Sequence, residues 1–338
     1  MGIDTKTDTA EQYKSEHYQR TAEIERKVFY GRDIKDVYTQ EAEFALTAAD
    51  VKFEGDEKIL DLACGEGHHA DVLREKTGRN IDAFDTSKVL IQNATERERG
   101  ITSSTRAKIN YCIGSYGGLP LKPESESPTK YKLITILGTS FMYLPTPEAH
   151  QDALNDFCRL LKKGGKIAIQ FRGRVRISDE ENNKREESQR EWCKKLGVSL
   201  DHKIADGENG KLGRYAKKGE EVPVLRDLNK GDGMYFYDAP LSDTGGLTPT
   251  INEYGDITKY VDSDGVERSS FGRAYINKDG SEENLGTTQI IDYMSVSAFP
   301  VLERMLEKSG FKNVKLMEDP KTISVDGSCR NFVVVAEK

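Results

Sequence analysis

The sequence predicts an α/β protein with a mostly parallel, doubly wound sheet of seven strands, which has helices on both of its faces. Short, β-branched apolar segments alternate with amphipathic helical segments over residues 34–172. Strands and helices that alternate in this way form parallel sheets through right-handed crossovers. The alternation stops at Gly173 and resumes at residue 290. We therefore predict a large β-rich insertion, residues 173–289, between strands five and six.

The elements before the insertion follow from apolar periodicity and from end signals. A helix is predicted from Ile34, where apolar residues recur at helical spacing. Ser87 is a capping residue for a later helix, and Gly78 and Gly100 are typical of helix ends. The predicted strands are 58–63, 80–84, 108–113, 131–137 and 166–171, and the predicted helices between them are 68–76, 87–99 and 146–161.

The insertion and the chain after it differ in pattern. A charged helix is predicted over 178–195, followed by short alternating segments at 234–237 and 251–261 that Gly-Asp, Asp-Gly and Asn-Gly turn signals separate. These segments indicate antiparallel strands. After the insertion, we predict a helix over 296–308 and strands over 313–317 and 331–336, which complete the sheet.

Composition excludes several classes of protein. The chain has 338 residues and a net charge of -7, which argues against a bulk nucleic-acid binder. No apolar run approaches the length of a membrane span, and residues 1–20 lack the apolar core of a secretory signal. The five cysteines are scattered and lack close pairs, so we expect reduced thiols, a cytoplasmic location and no metal site.

A ligand site is predicted at the end of the first strand. Residues 65–70 read Gly-Glu-Gly-His-His-Ala, where glycines would let a ligand approach the main chain. The second strand ends near Asp85, 18 residues after Gly67, where a carboxylate can accept both hydroxyls of a ribose. A nucleoside-containing ligand is therefore expected beyond these two strand ends.

Two ligands remain open at this point, a nicotinamide dinucleotide and S-adenosylmethionine. The first would place a pyrophosphate at the helix N-terminus. The second carries a cationic sulfonium and an amino acid tail. Asp61 on the strand and Glu66 in the turn make the region negative, which disfavours a pyrophosphate and favours a cation.

Residues 60–67, Leu-Asp-Leu-Ala-Cys-Gly-Glu-Gly, resemble motif I of the class I S-adenosylmethionine-dependent methyltransferases. Asp85, the segment Leu-Lys-Lys-Gly-Gly-Lys at 161–166 and Ser-Gly-Phe at 309–311 extend the resemblance. It implies a Rossmann-like fold, S-adenosyl-L-methionine as the cofactor and methyl transfer as the activity. It also implies four parts: an N-terminal helical segment or lid (1–57), a cofactor-binding core (58–172), the insertion (173–289) and a completing segment (290–338).

The resemblance assigns the cofactor site residue by residue. The methionine end would lie on the first strand, the glycine turn and the end of strand four. The ribose would bind at the end of strand two, and the adenine after strand three. Part of the N-terminal segment would fold over the methionine carboxylate. The residues implied are Asp61, Ala63, Gly65, Gly67, Asp85, Thr86, Ser115, Tyr116, Leu137, Tyr30 and Arg32.

Three further segments are similar to the glycine and glycine/sarcosine N-methyltransferase group. They are Leu-Gly-Thr-Ser-Phe at 137–141, Gln-Phe-Arg at 170–172 and Val-Ala-Glu-Lys at 335–338. This similarity implies that Arg172 binds the carboxylate of the methyl acceptor. The chain departs from the group in three ways: Thr139 replaces an amide side chain, Ser115 replaces an acid, and the insertion is much longer.

The expected function is therefore methylation of a small molecule, an amine-bearing small acid or an amino sugar. Thr139, Ser140, Tyr143 and Arg172 are the expected acceptor-binding residues, and Tyr143 and His69 are candidate bases. An RNA or protein methyltransferase, a non-catalytic regulatory subunit that binds the cofactor, and a nicotinamide-dependent oxidoreductase stay open as alternatives. Neither a membrane nor a nucleic acid is an expected partner, and assembly into a homo-oligomer is left open.

Overall fold

A computed structural model describes twelve ranges of the chain. Tyr30, Arg32 and the helix expected over 178–195 lie outside the described residues. The described ranges are 34–100, 107–116, 131–144, 146–174, 225–226, 233–238, 248–251, 257–261, 266–276, 282–293, 299–323 and 329–338.

The first half of the chain alternates strands and helices as expected. Most bounds lie within one or two residues of the prediction, because apolar spacing and capping residues are local signals. The elements in order are α1 (Ile34–Ala49), β1 (Lys58–Leu62), α2 (His68–Thr77), β2 (Ile81–Asp85), α3 (Lys88–Gly100), β3 (Ile109–Ile113), β4 (Tyr131–Ile136), a 3-10 helix (Ser140–Tyr143), α4 (Pro147–Leu160) and β5 (Leu161–Arg174).

The second half adds shorter strands, one helix and two long strands. The last helix is described from Phe299 onward, and β5, β12 and β13 are longer than predicted. The elements are β6 (Leu225–Arg226), β7 (Gly233–Asp238), β8 (Thr248–Ile251), β9 (Ile257–Val261), β10 (Glu267–Ile276), β11 (Glu282–Asp292), α5 (Phe299–Lys308), β12 (Lys312–Ile323) and β13 (Cys329–Glu337).

Seven strands form the main sheet in the order β12-β13-β5-β4-β1-β2-β3. The five N-terminal strands pair in parallel, and β13 lies antiparallel between β5 and β12. The predicted Rossmann-like, doubly wound, mostly parallel sheet of seven strands is therefore confirmed. Strands β6 to β11 form a second, antiparallel sheet. In the chain, they come between β5 and β12, the fifth and sixth strands of the main sheet.

Two apolar cores cover the two faces of the main sheet. One contains buried residues of α1, α2 and α3, and the other contains buried residues of α4 and α5. Alternate residues of β1 point to opposite cores: Ile59 lies in the first, and Leu60 and Leu62 lie in the second. Within the described ranges, no helix is long and apolar enough to cross a membrane.

The second sheet is anchored in the core by residues at the ends of its long strands. Val266, Ile291 and Tyr293 are buried in the same cluster as Phe141 of the 3-10 helix and residues of α4. The Tyr293 ring meets the ring of His150 edge-on, with centroids 5.3 Å apart. The long strands of the second sheet are therefore anchored beside the segment that follows β4.

Candidate active site

The turn between β1 and α2 contains three residues with left-handed backbone, Ala63 (φ 54°), Gly65 (φ 55°) and Gly67 (φ 80°). A Cβ on Gly65 would meet no heavy atom within 4 Å, whereas a Cβ on Gly67 would lie 2.2 Å from the Tyr111 hydroxyl. The two glycines therefore have different functions. Gly65 leaves the main chain open to a ligand, and Gly67 makes room for the Tyr111 side chain.

Asp85 lies at the end of β2, next to this turn. Its Oδ2 accepts a hydrogen bond from the Gly65 amide at 2.9 Å, and its Oδ1 accepts one from the Ser87 amide at 2.8 Å. Burial raises the pKa of Asp85 above its ordinary value, although these amide bonds oppose the shift. Each carboxylate oxygen has a second lone pair, so Asp85 can still accept ribose hydroxyls.

Asp61 is buried on β1, and its environment suits a cationic ligand. Its Oδ1 accepts a hydrogen bond from the Thr135 hydroxyl at 2.7 Å, whereas its Oδ2 has no hydrogen-bond partner among the described residues. Burial, helped by the charge of Asp85 and opposed by the Thr135 bond, raises the pKa of Asp61 to about 7. A buried carboxylate oxygen without a donor fits the positive end of S-adenosylmethionine.

Glu66 faces helix α3, although the sequence analysis counted its charge, with that of Asp61, toward a cationic ligand. Its Oε1 accepts a hydrogen bond from Asn93 Nδ2 at 2.8 Å, and its Oε2 lies 3.6 Å from His68 Nε2. Burial raises the pKa of Glu66, but the bonds from His68 and Asn93 and the charge of Arg97 bring it below the ordinary value. Because its charge is compensated locally, the case for a cationic ligand depends on Asp61.

The residues expected at the adenine end differ in exposure. Ser115 is exposed, whereas the ring of Tyr116 meets Phe157 of α4 edge-on, with centroids 5.6 Å apart. The Tyr116 hydroxyl is buried and has no hydrogen-bond partner within the described residues. Burial and the nearby charges of Asp85 and Asp61 raise its pKa. Tyr116 therefore lies near both carboxylates, and its stacking on adenine stays a prediction.

The segment after β4 is held tightly. Leu137 is buried, and the Gly138 amide donates to Gln170 Oε1 on β5 at 2.7 Å. Thr139 has a φ of 65°, which is unusual for a β-branched residue. The Ser140 hydroxyl donates to the Leu137 carbonyl at 3.1 Å and so closes the start of the 3-10 helix. This segment carries three of the expected acceptor-binding residues, including half-buried Tyr143.

Arg172 follows Gln170 by two residues on β5, so both side chains project from the same face of the sheet. It is half-buried and lies directly across from Asn331 of β13. The ends of β4 and β5 are neighbours in the sheet. The structure therefore brings Thr139, Ser140 and Arg172 to one edge of the sheet.

The surroundings of His69 favour a structural role over the predicted catalytic one. Its Nε2 lies 2.8 Å from the carboxylate Oε2 of Glu41 on α1, and Glu41 Oε1 accepts a bond from Asn331 Nδ2 at 3.0 Å. All three residues are buried. The neighbouring His68 stacks on the ring of Tyr38, with centroids 4.9 Å apart. These contacts fix α1 against the first turn of α2.

Sequence reasoning missed Gln170 and Glu41 as residues that shape the site. Glu41 had a visible signal, because it interrupts the apolar stripe of α1 four residues after Val37 and four before Ala45. Gln170 likewise interrupts the apolar run of β5. A polar residue at a buried position indicates that a polar partner must be supplied elsewhere in the fold.

Comparisons with known proteins agree with this geometry. Residues 59–165 match the model of a family described as a methyltransferase domain. These residues include the glycine turn, Asp61, Asp85 and the segment after β4. No curated protein matches the chain.

Two solved structures share the fold over most of their length. A S-adenosylmethionine-dependent methyltransferase from Clostridium acetobutylicum ATCC 824 is 14% identical, with a TM-score of 0.53, and the match covers 94% of this chain and 98% of that one. The CcbJ methyltransferase from Streptomyces caelestis is 11% identical, with a TM-score of 0.51, and the match covers 89% and 90%. At these identities, the likeness concerns the fold.

Proposed function

We propose that this chain is a class I methyltransferase that uses S-adenosylmethionine, and that it methylates the amine of a small acid or an amino sugar. The match of residues 59–165 to a methyltransferase domain supports the first part. The methionine end of the cofactor would lie over Gly65 beside Asp61, and its ribose would bind to Asp85. The acceptor would lie at the ends of β4 and β5. Arg172 would bind an acceptor carboxylate, while Thr139 and Ser140 would hydrogen-bond its polar groups.

The observation that carries this proposal is the hydrogen bond between the Gly138 amide and the buried Gln170 side chain, at 2.7 Å. It joins the segment after β4 to β5, two residues before Arg172. Arg172 and residues 138–140 after β4 are therefore held at one edge of the sheet. The glycine turn between β1 and α2 follows the neighbouring strand at the same edge. A guanidinium can bind a carboxylate through two parallel hydrogen bonds, which suits a small acid.

An amine acceptor also suits the groups present. S-adenosylmethionine supplies an electrophilic methyl group when it is bound. The protein has to align a deprotonated amine with that methyl group and exclude water, and it needs no strong base. Tyr143, half-buried in the 3-10 helix, is the hydroxyl that we expect to orient the amine. His69 is held by Glu41 and is not assigned a step.

We further propose that the insertion covers the acceptor. Its long strands end in the core beside Phe141 and His150, close to the segment after β4. A sheet anchored there can reach over the ends of β4 and β5. The N-terminal segment, residues 1–57, would close the cofactor side in the same way. The division of the chain into four parts stays a prediction, as do a cytoplasmic location and assembly into a homo-oligomer.

The test is methyl transfer from labelled S-adenosylmethionine to matched pairs of acceptors. Each amino acid is compared with the amine that lacks its carboxylate, and each amino sugar is compared with the corresponding neutral sugar. We expect turnover of amines alone, with a lower KM for one amine-bearing class. Turnover of RNA or of a peptide in preference to every small amine would contradict the proposal. Cofactor binding without turnover of any acceptor would favour a regulatory subunit.

A further inference from the structure

We infer that Arg97 of helix α3 is a positioning residue that holds the cofactor turn, residues 63–67, in the shape that accepts a ligand. The inference rests on the cofactor placement proposed above. It adds a residue that lies behind the turn and that we do not expect to touch the cofactor. Three contacts of Arg97 and the packing of Tyr111 carry it.

The Arg97 guanidinium binds the turn and the helix after it at the same time. Its Nη2 donates to the main-chain carbonyl of Glu66 at 2.6 Å and lies 3.5 Å from the Tyr111 hydroxyl. Its Nη1 forms an ion pair with Asp71 in the first turn of α2. A planar guanidinium can make these bonds together because its donors are fixed in one plane.

Asn93 lies one helical turn before Arg97 and contacts the same residue of the turn. Its Nδ2 donates to the Glu66 carboxylate at 2.8 Å. Residues four apart share a face of a helix, so α3 holds both the main chain and the side chain of Glu66. These two contacts leave Glu66 little freedom to rotate.

The Tyr111 side chain also packs against the cofactor turn at Gly67. The Tyr111 ring occupies the space that a Cβ of Gly67 would need, with ring atoms 2.5 and 2.6 Å from that position. The side of Gly65 is open, with no heavy atom within 4 Å of its Cβ position. Contacts therefore surround the turn at Glu66 and Gly67 and leave Gly65 accessible.

Helix α3 connects this turn to the ribose-binding residue. It begins three residues after Asp85, whose carboxylate accepts a hydrogen bond from the Gly65 amide. Arg97 thus closes a ring of contacts that runs from Asp85 along α3 to Glu66 and back through Gly65. A turn that is ordered before binding saves the conformational entropy that binding would otherwise cost.

The test compares Arg97→Ala with Arg79→Ala in the full chain. Arg79 is a matched control, because it also donates to main-chain carbonyls, those of Phe53 at 3.2 Å and of Gly55, away from the turn. We expect Arg97→Ala to weaken the binding of S-adenosylhomocysteine roughly tenfold in calorimetry, and Arg79→Ala to change it less than about twofold. The affinity of Arg97→Lys for S-adenosylhomocysteine should lie between those of Arg97→Ala and Arg79→Ala, because lysine keeps the charge beside Asp71 and loses the planar donors.

Hydrogen exchange of the free protein gives a second readout. We expect the amides of residues 64–68 to exchange faster in Arg97→Ala than in the wild type or in Arg79→Ala. Equal affinity and equal exchange in folded Arg97→Ala would overturn the inference while the cofactor site stands. Equal weakening in both variants would assign the effect to general destabilisation and would also overturn it. If the wild-type chain does not bind S-adenosylhomocysteine or S-adenosylmethionine, the proposed site fails first, and the inference fails with it.

Discussion

The Asp85 carboxylate accepts a hydrogen bond from the Gly65 amide at 2.9 Å, which joins the two segments expected to bind the cofactor. Asp85 therefore has two functions in our proposal, because the same carboxylate orders the glycine turn and accepts the ribose hydroxyls. We expect Asp85→Ala to weaken S-adenosylmethionine binding by about 1–3 kcal/mol through the lost charged acceptor. Calorimetry measures this directly. Unchanged affinity in a folded variant would refute the ribose role.

The two glycines of the turn should respond differently to alanine. Gly67→Ala places a Cβ 2.2 Å from the Tyr111 hydroxyl, so we expect a loss of unfolding free energy of roughly 2–4 kcal/mol. Gly65→Ala meets no neighbour and should cost about 1 kcal/mol, from its positive φ alone. Its main effect should be on cofactor affinity. Urea unfolding and calorimetry together separate these outcomes, and a larger stability loss in Gly65→Ala would contradict the assignment.

Stability should depend on pH through Asp61. Its pKa, raised to about 7 by burial, exceeds the ordinary value of 3.8, so between these values the folded protein keeps a proton that the unfolded chain has lost. The free energy of unfolding therefore falls as the pH rises from about 4 to about 7. Asp61→Asn should remove this contribution and unfold at a higher urea concentration than the wild type at about pH 8. A variant as pH-dependent as the wild type would contradict the shift.

Binding of S-adenosylmethionine should release a proton from Asp61 below about pH 7, because a cation beside the carboxylate favours its ionised form. Affinity should then increase with pH up to about 7 and level off above it. Calorimetry at about pH 6, in buffers that differ in ionisation enthalpy, counts the released protons. S-adenosylhomocysteine, which lacks the sulfonium charge, should release fewer.

Arg172→Met tests the acceptor side. We expect the KM of a carboxylate-bearing acceptor to rise at least about tenfold, since one charged hydrogen-bonded partner is lost, while cofactor affinity is kept. Arg330→Met on the adjacent strand β13 is the control, because it removes an ion pair with Glu318 and should leave KM unchanged. Equal loss of acceptor and cofactor binding in Arg172→Met would indicate a structural role for this arginine.

Thr139 should gain stability when it is replaced by asparagine. Its φ of 65° disfavours a β-branched side chain, whereas asparagine tolerates it, and within the described residues its side chain makes no capping hydrogen bond to the 3-10 helix. We expect Thr139→Asn to raise the unfolding free energy by about 0.5–1 kcal/mol and to change the KM of the acceptor. The reverse change, Asn313→Thr at a φ of 54°, should lower it by a similar amount. A destabilised Thr139→Asn would show that the threonine makes a compensating contact.

Local signals explain why much of the fold could be predicted. Thr146 accepts the Ala149 amide at the start of α4, and Gly78 adopts the left-handed backbone at the end of α2, as their residue types indicate. Asp85 could be placed for the same reason, because the strand and the glycine turn before it have short-range patterns. These features depend on neighbours a few residues away.

Other features depend on contacts between residues far apart in the chain, which one sequence does not reveal. Glu66 lies in the cofactor turn, yet its direction is set by Asn93, 27 residues later. The surroundings of His69 depend on Glu41, 28 residues earlier. The requirement for glycine at position 67 comes from the Tyr111 ring, which lies on β3, 44 residues later. In each case, the sequence singled out the residue, and a partner far away in the chain determines its surroundings.

The anchoring of the second sheet has a practical consequence for changing the acceptor specificity that we propose. Val266, Ile291 and Tyr293 anchor the β10–β11 hairpin in the protein interior, and strands β6 to β9 lie on the other side of β10 in the same sheet. We therefore expect that strands β6 to β9 can be exchanged without disturbing the cofactor site that we propose. Chimaeras that keep the three anchors and replace only the strands beyond them are the natural starting point for redirecting specificity.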